Sequence, residues 1–254
     1  MRHDASIGEE LEWTRTALAE PGEAGRWRIW HYGRAEIVFG CSQRRLLEQL
    51  ERTGSTDLPV FRRASGGGAV FAGPWLLGLT VVLPDAHPLL TGRTLVGSYR
   101  WLGELHARVL TGAGVDAQAL DPAGAVTFSG SAGSSGAAGV SPDPHPVTRA
   151  PIEWACFGGL SPWEVVDAQG RKLTGLSQRR VRGAVAFSAG TLLSRPPWQQ
   201  MCDAVGAPSG DGAALDAYTG ACDENAPMLQ AGDWAVRFAA AVRECLEGER
   251  ARAC

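Results

Sequence analysis

The spacing of apolar and polar residues along the chain predicts a series of short helices and strands. Apolar residues recur at helical spacing near the N-terminus, which predicts an amphipathic helix over residues 5–22. Aromatic and β-branched residues dominate residues 26–32 and 35–43, and the glycine between these runs suggests a pair of strands. Residues 46–54 are typical of a short helix that is closed by Gly54.

The middle of the chain predicts two strands and a long helix. Residues 59–63 form a candidate strand that leads into a run of glycines, and residues 75–84 form a strongly apolar candidate strand. Residues 94–110 are expected to be one packed helix, because apolar side chains recur there on one helical face. These side chains are Leu95, Tyr99, Leu102, Leu105 and Val109.

The composition changes at residues 121–150, which are rich in glycine, serine, alanine and proline and show no apolar period. Such a stretch buries too little apolar surface to offset its ordering entropy of about 1–2 kcal/mol per residue. Because strand-like sequence resumes beyond it, we interpret the stretch as a disordered insertion within a single domain of residues 1–254.

The last third of the chain predicts strands followed by helices. The strands are expected at residues 153–157, 163–180 and 184–193, with turns at Gly170 and Gly183. Helical patterns close the chain at residues 197–206 and 231–248. Strands dominate the middle and helices flank them, which predicts an α+β fold with a mixed, largely antiparallel sheet.

Composition and charge exclude several classes of protein. The hydrophobic content of 44% and the net charge of −3 are ordinary for a globular protein and give no sign of nucleic-acid binding. The cysteines and histidines are scattered without metal-ligand spacing, so we expect no metal site. The sequence lacks a signal peptide and a transmembrane run, and we expect a cytoplasmic protein with reduced thiols and no membrane association.

Three short stretches could carry chemistry. The first is RRASGGGAV, residues 62–70, in which consecutive glycines cost conformational entropy. A strand that tolerates this usually needs a close backbone approach, and its N–H groups with the adjacent arginines could face an anion or a carbonyl oxygen. A bulged hairpin without a ligand is the alternative interpretation.

The second stretch holds Lys172, the one lysine among 24 basic residues. Lysine offers a compact charge with three rotatable donors, which suits a single carbonyl or phosphate oxygen better than a guanidinium does. The third stretch holds Cys156, between Trp154 and Phe157. A cysteine there could be a nucleophile or a buried packing residue, since reactivity requires both access and thiolate character.

Taken in order, these stretches resemble the family of lipoate-protein ligases and octanoyltransferases, whose catalytic domain is related to that of biotin-protein ligase. The glycine stretch resembles the family segment RRxSGGGAV, and GRKLTGLSQRR resembles GRKIxGxAQ. Two weaker matches are IVFGCSQ, which resembles an early strand that ends in GxxQ, and AGTLL, which resembles the strand after the lysine. The resemblance spans residues 30–195, interrupted by the low-complexity stretch.

The resemblance implies a fold like that of the biotin/lipoate protein ligase catalytic domain and a reaction of lipoate assembly. In one transferase subgroup a cysteine lies in a CFxxPSWYE-like segment, and CFGGLSPWE places Cys156 in the corresponding position. Cys156 and Lys172 are then the candidate catalytic residues, with Lys172 on the acyl carbonyl. The implied substrate-binding residues are Arg62, Arg63, Ser65, Gly66, Gly67, Gly68, Ala69, Gly175, Gln178, Gly190 and Thr191.

The implied activity is transfer of an octanoyl or lipoyl group to a lysine of a lipoyl carrier domain or a glycine cleavage H-type protein. Acyl carrier protein would be the donor, no cofactor would be needed, and apolar residues between Trp75 and Val82 would line the acyl tunnel. The first alternative is a ligase that uses lipoate, ATP and Mg²⁺ and acts through lipoyl-AMP. The second is a non-catalytic protein that binds an acyl group or a lipoyl domain.

The chain departs from the family pattern at two places. Ala72 and Gly73 stand where the family usually has histidine and aspartate. Ser188 and Ala189 precede the Gly-Thr pair, where the family often has histidine. These departures leave room for a divergent acyl substrate or for a loss of activity.

Overall fold

The computed structural model describes residues 4–54, 56–123 and 151–253. In this part of the chain the strands form one six-stranded and one three-stranded sheet. The strands are β1 (Arg26–His31), β2 (Glu36–Phe39), β3 (Val60–Arg62), β4 (Val70–Ala72), β5 (Leu76–Pro84), β6 (Ala117–Ala119), β7 (Val165–Asp167), β8 (Lys172–Val181) and β9 (Ala184–Leu192). The helices are α1 (Ile7–Ala19), α2 (Arg44–Thr53), α3 (Arg100–Thr111), α4 (Trp198–Val205), α5 (Asp211–Tyr218) and α6 (Ala231–Ala253).

The strand order of the larger sheet is β1-β5-β9-β8-β7-β6, and all its neighbours are antiparallel. The smaller sheet has the order β3-β2-β4, in which β2 and β3 run parallel. The predicted α+β class with a mixed, largely antiparallel sheet is therefore confirmed.

The larger sheet has one core on each face. Alternate residues of β5, from Leu77 to Leu83, pack with α3 and α6 on one face. On the other face Leu76 packs with the smaller sheet and α4, and Val82 lies in a small cluster with Ala17 of α1. A strand that is buried on both faces has a continuous run of apolar residues, and this explains why the sequence of residues 75–84 clearly predicts a strand.

Local sequence sets the ends of several elements. Ser6 and Glu9 form a reciprocal capping box that begins α1. Gly54 adopts a left-handed conformation and ends α2, as predicted. Gly183, with φ of 86°, makes the tight turn between β8 and β9.

The predicted pairing of the first two strands is wrong. β1 pairs with β5, whereas β2 pairs with β3 and β4 in the other sheet. The sequence suggests a strand pair here because the two runs flank a single glycine and are adjacent in the chain. The fully buried β5 needs partners on both of its edges, and β1 supplies one of them.

The predicted helix over residues 94–110 begins later than expected. The Thr94 hydroxyl accepts the Gly97 N–H, and a 3-10 turn at Gly97–Tyr99 precedes α3. The predicted stripe therefore starts at Tyr99, and Leu95 is 59% exposed. A threonine that caps its own local turn competes with helix continuation at this point.

Residues 153–157 do not form the predicted strand. The segment closes on itself through a hydrogen bond from Ile152 N–H to the Gly158 oxygen and continues into a 3-10 turn at Cys156–Gly158. Only Ala155 makes an isolated bridge, to Ala69. A short aromatic run does not distinguish a strand from such a turn.

The sequence patterns missed the short strand β6 and the helix α5. Of the predicted insertion at residues 121–150, residues 124–150 lie outside the described residues. None of the described helices combines the length and apolar character that a membrane span requires.

Candidate active site

The glycine stretch forms a tight loop between β3 and β4. Gly67 has φ of +92°, a conformation that favours glycine. The Arg63 guanidinium lies under the loop and donates hydrogen bonds to the oxygens of Val38 (3.2 Å), Gly66 (2.9 Å) and Gly68 (2.8 Å). Arg63 thus holds the loop in shape through backbone carbonyls.

The loop packs directly against the segment that carries Cys156. A Cβ atom on Gly68 would lie 2.6 Å from the Cys156 nitrogen, so only glycine permits this approach. Ala69 donates to the Trp154 oxygen (2.7 Å) and accepts from the Cys156 N–H (2.8 Å). Gln43, in the GxxQ-like segment, also donates to the Trp154 oxygen (2.8 Å).

The Lys172 ammonium is buried, and its donors are all engaged. Nζ lies 2.7 Å from the Cys156 oxygen, 3.2 Å from the Gly159 oxygen and 2.6 Å from Glu164 Oε1. The side chain is 2% exposed. The ammonium therefore points into the protein, beside the backbone of the candidate nucleophile.

Glu164 is a functional candidate that the sequence interpretation missed. Its carboxylate accepts the N–H groups of Ser161 (2.8 Å) and Leu176 (3.2 Å) as well as the Lys172 ammonium. Burial raises the pKa of Glu164, and the Lys172 ammonium opposes that rise. A carboxylate within the apolar run PWEVV requires a buried partner, and this signal could have pointed to the single lysine.

Trp163, the residue before Glu164, helps to orient the Glu164 carboxylate. Trp163 is buried and has φ of 70°, and it is the one non-glycine residue with positive φ in the described part of the chain. Its N–H donates to the Leu120 oxygen (2.7 Å), which fixes the turn ahead of β7. Backbone strain of this kind is maintained only where the surrounding structure enforces it.

Gly175 lies next to both the Lys172 ammonium and the Cys156 thiol. A Cβ atom built on Gly175 would lie 3.3 Å from Cys156 Sγ and 3.5 Å from Lys172 Nζ. Both groups therefore border the same small space above β8, and the absence of a side chain at residue 175 keeps that space open. The Cys156 thiol is free and partly exposed.

Cys156 and Gly175 line a cavity of about 730 Å³ between α1 and the larger sheet, whereas the buried Lys172 is not among its lining residues. Its apolar walls come from α1, β8 and β9, and include Leu11, Leu18, Leu176 and Ala186. The expected tunnel along residues 75–82 is therefore mostly wrong, since only Leu76 of that stretch lines the cavity and alternate residues of β5 face the α3–α6 core.

The other predicted site residues are distributed around this cavity. Arg62, Arg63, Ser65 and Gly190 line it, together with Cys156, Gly175 and Gln178. The Gln178 amide group, however, donates to the Leu95 oxygen (3.0 Å), ahead of α3. Thr191 is buried in the sheet, where its hydroxyl lies 3.0 Å from that of Thr174.

Comparisons with known proteins decide the family. The family model described as Lipoyl protein ligase A/B catalytic domain matches residues 10–217. The chain belongs to this family. No curated protein sequence matches the chain.

Solved structures share the fold of this lipoyl ligase domain at low sequence identity. A lipoate-protein ligase A bound with ATP is 14% identical, with a TM-score of 0.63 over 97% of this chain and 83% of that one. A putative lipoate protein ligase from T. acidophilum with bound lipoic acid is 14% identical, with a TM-score of 0.60 and the same coverage. An archaeal bi-partite lipoate protein ligase from Thermoplasma acidophilum, described with its E2 lipoyl domain, is 13% identical, with a TM-score of 0.61 over 97% of this chain and 82% of that one.

Membership of the lipoyl ligase family makes the chain an enzyme of lipoate metabolism, of the class that attaches a lipoyl or octanoyl group to a protein. The family model covers both ligases A and B, so it does not separate ATP-dependent ligation from acyl transfer.

One departure from the lipoyl ligase pattern, Gly73, has a local explanation in packing. The Trp75 ring lies against Gly73 and Phe71, and a Cβ atom on Gly73 would collide with that ring. Trp75 thus fills the room that an aspartate at residue 73 would need. Ser188 and Ala189, which precede the Gly-Thr pair where the family often has histidine, line the cavity.

Proposed function

We propose that this protein transfers an octanoyl or lipoyl group to a lysine of a lipoyl carrier domain through a thioester on Cys156. The observation that carries the proposal is the shared space above Gly175, which the Cys156 thiol and the Lys172 ammonium both border. Nucleophile and cation thus both lie near the point where an acyl carbonyl would react.

In the first step the Cys156 sulfur attacks the carbonyl carbon of an acyl thioester, such as acyl carrier protein would supply. The new C–S bond replaces the old one, and the donor leaves as a thiol that carries the proton of Cys156. In the second step the amine of the carrier lysine attacks the acyl-cysteine. An amide forms, and Cys156 regains its proton from that amine.

Lys172 would stabilise the charge that develops on the carbonyl oxygen. One preorganised donor of this kind contributes about 3–4 kcal/mol to the transition state. Glu164 and two backbone oxygens hold the ammonium in place, so donation to the acyl oxygen would replace one of these contacts, the longest of which is the one to the Gly159 oxygen (3.2 Å). Within the described part of the chain, the N–H groups of Gly66, Gly67 and Gly68 donate to no protein acceptor, and they could add further donors.

ATP-dependent ligation is the second candidate. It is favoured by the arginines that line the cavity, Arg62, Arg179 and Arg182, because guanidinium groups suit the phosphates of a nucleotide. Among the described residues, Glu10 is the one carboxylate that lines the cavity, and it accepts hydrogen bonds from Tyr32 and Thr80. A Mg²⁺ ion would therefore be held mainly by the phosphates and by water.

The experiment incubates the protein with a lipoyl domain and either octanoyl-acyl carrier protein without ATP or lipoate with ATP and Mg²⁺. The mass of the lipoyl domain reports the product. We expect the octanoyl adduct in the first mixture, an acyl adduct mapped to Cys156, and loss of both in Cys156→Ser.

Cys41→Ser is the matched control, because Cys41 is an exposed cysteine outside the cavity. This variant should retain both adducts. Modification only in the mixture with ATP, unaffected by Cys156→Ser, would identify a ligase instead. Modification in neither mixture would favour the non-catalytic binding protein.

A further inference from the structure

Three neighbouring strands place glycines side by side on one face of the sheet, and two of them, Gly175 and Gly190, line the cavity. Gly190 of β9 is opposite Gly78 of β5 and Gly175 of β8. Directly opposed residues of antiparallel strands point to the same face of a sheet. The missing side chains leave room for Tyr32 above Gly78 and for the thiol of Cys156 above Gly175. This glycine row marks the reactive end of the cavity.

The next row on the same face consists of hydroxyl residues. Ser188 of β9 is opposite Thr80 of β5 and Ser177 of β8. The Thr80 hydroxyl donates to Glu10 (2.9 Å) and accepts from the Trp30 indole (3.1 Å), so it is satisfied within the protein.

The two serines of this hydroxyl row are poorly satisfied. The Ser177 oxygen lies 3.4 Å from that of Ser65, which is a long contact. The Ser188 hydroxyl hydrogen-bonds to no other group in the described part of the chain. Both serines line the cavity. Their hydroxyl groups are therefore available to a bound molecule.

Ser177 and Ser188 lie at a distance from Gly175 where they would contact the acyl chain and not the reacting carbonyl. Ser177 is two residues beyond Gly175, which is about 7 Å along an extended strand. Beyond it Leu18 of α1 and Ala186 of β9 give apolar wall, and Arg179 and Arg182 line the cavity beside them. An unsubstituted hydrocarbon chain lying over Ser177 and Ser188 would remove their water without replacing the hydrogen bonds, which is unfavourable.

We propose that Ser177 and Ser188 form a subsite for a hydroxyl substituent on the acyl chain. The preferred substrate is then a hydroxylated medium-length acyl group and not a plain octanoyl group. A serine hydroxyl both donates and accepts, so the pair can satisfy a substrate hydroxyl in either direction. This inference rests on the proposed function, because it places the acyl chain between Cys156 and the far end of the cavity.

Binding to a Cys156→Ala protein tests the subsite separately from transfer. Calorimetry would compare octanoic acid with octanoic acids that carry one hydroxyl group at successive carbons. We expect at least one hydroxy acid to bind about tenfold more tightly than octanoic acid, as two neutral hydrogen bonds allow. Adding Ser177→Ala and Ser188→Ala should remove that preference. Ser194→Ala is the control, because Ser194 lies outside the cavity.

The outcomes separate this inference from the proposed function. Equal or weaker binding of every hydroxy acid, no binding of any acid, or a preference that survives both serine substitutions overturns the subsite. Thermal melting checks that the double variant is folded, and the single serine variants replace it if it is not. A hydroxy-acid preference in a protein that forms no acyl adduct on Cys156 would overturn the proposed transfer and leave the subsite standing.

Discussion

The Nζ atom of Lys172 lies 2.6 Å from Oε1 of Glu164, and the two side chains are only 2% and 3% exposed. Glu164 also accepts the N–H groups of Ser161 and Leu176, so one carboxylate joins the loop after Cys156 to strand β8. The pair therefore fixes both the cation and the segment that carries the thiol. A buried pair of this kind resists the loss of either partner, because the remaining charge is left without compensation.

Glu164→Gln should destabilise the protein by about 3–5 kcal/mol and lower the rate of acyl transfer. The amide has the size of the carboxylate but leaves the Lys172 ammonium without its counter-charge. Urea denaturation measures the free energy of unfolding. Glu224→Gln is the control, since its ion pairs with Arg171 and Arg195 are more exposed and should contribute about 1 kcal/mol or less. Equal effects of the two substitutions would contradict the role of Glu164.

Lys172→Arg should reduce acyl transfer by about 100-fold or more while far-UV circular dichroism remains that of a folded protein. A guanidinium is too large for the site between Glu164, Cys156 and Gly159, and overpacking there should cost about 1–3 kcal/mol of stability. Arg171→Lys is the control: it retains the positive charge at the neighbouring residue 171 and should change the rate by no more than about twofold. A fully active Lys172→Arg protein would refute the placement of an ammonium on the acyl carbonyl.

Gly175→Ala should lower the transfer rate about tenfold or more and cost about 1 kcal/mol of stability, because the new Cβ also lies 3.2 Å from Cε of the buried Lys172, which must shift. The new methyl group would lie 3.3 Å from the Cys156 sulfur and 3.5 Å from the Lys172 nitrogen, in the space that the acyl carbonyl needs. Gly248→Ala, where no atom lies within 4 Å of the new Cβ, should leave the rate unchanged and stabilise α6 by about 0.5–1 kcal/mol. Steady-state rates with a lipoyl domain compare the two, and an unchanged rate in Gly175→Ala would mean that the carbonyl binds elsewhere.

The protein should lose stability in acid through His106. This side chain lies in α3 against Phe238 of α6, and burial lowers the pKa of His106 from 6.5 to about 4. The unfolded chain then binds a proton that the folded protein does not, so stability falls as the pH drops from 6.5 through about 4. The expected loss is about 3 kcal/mol. Urea midpoints across this range should show a smaller loss in His106→Leu, and an equal loss would exclude His106 as the cause.

Much of the fold could be predicted because local patterns decide it. The apolar run of β5, the left-handed Gly54 and the hairpin turn at Gly183 each depend on a few neighbouring residues. Pairing between strands depends on partners far apart in sequence, and β1 and β2 were therefore wrongly joined. The turn at Cys156 was mistaken for a strand because a short aromatic run does not distinguish a strand from a turn, and here Ile152 and Gly158 close a turn.

For the candidate site too, some features follow from the sequence alone and others only from the tertiary structure. The sequence by itself determined which groups could react, because one lysine, one glycine loop and one cysteine segment have residue types that chemistry can identify. Only the tertiary structure decided that Glu164 holds the ammonium, that Gly175 lies beside both the ammonium and the thiol, and that Ser177 and Ser188 line the same cavity. Those relations arise from strand register and burial, which join residues that no local pattern connects.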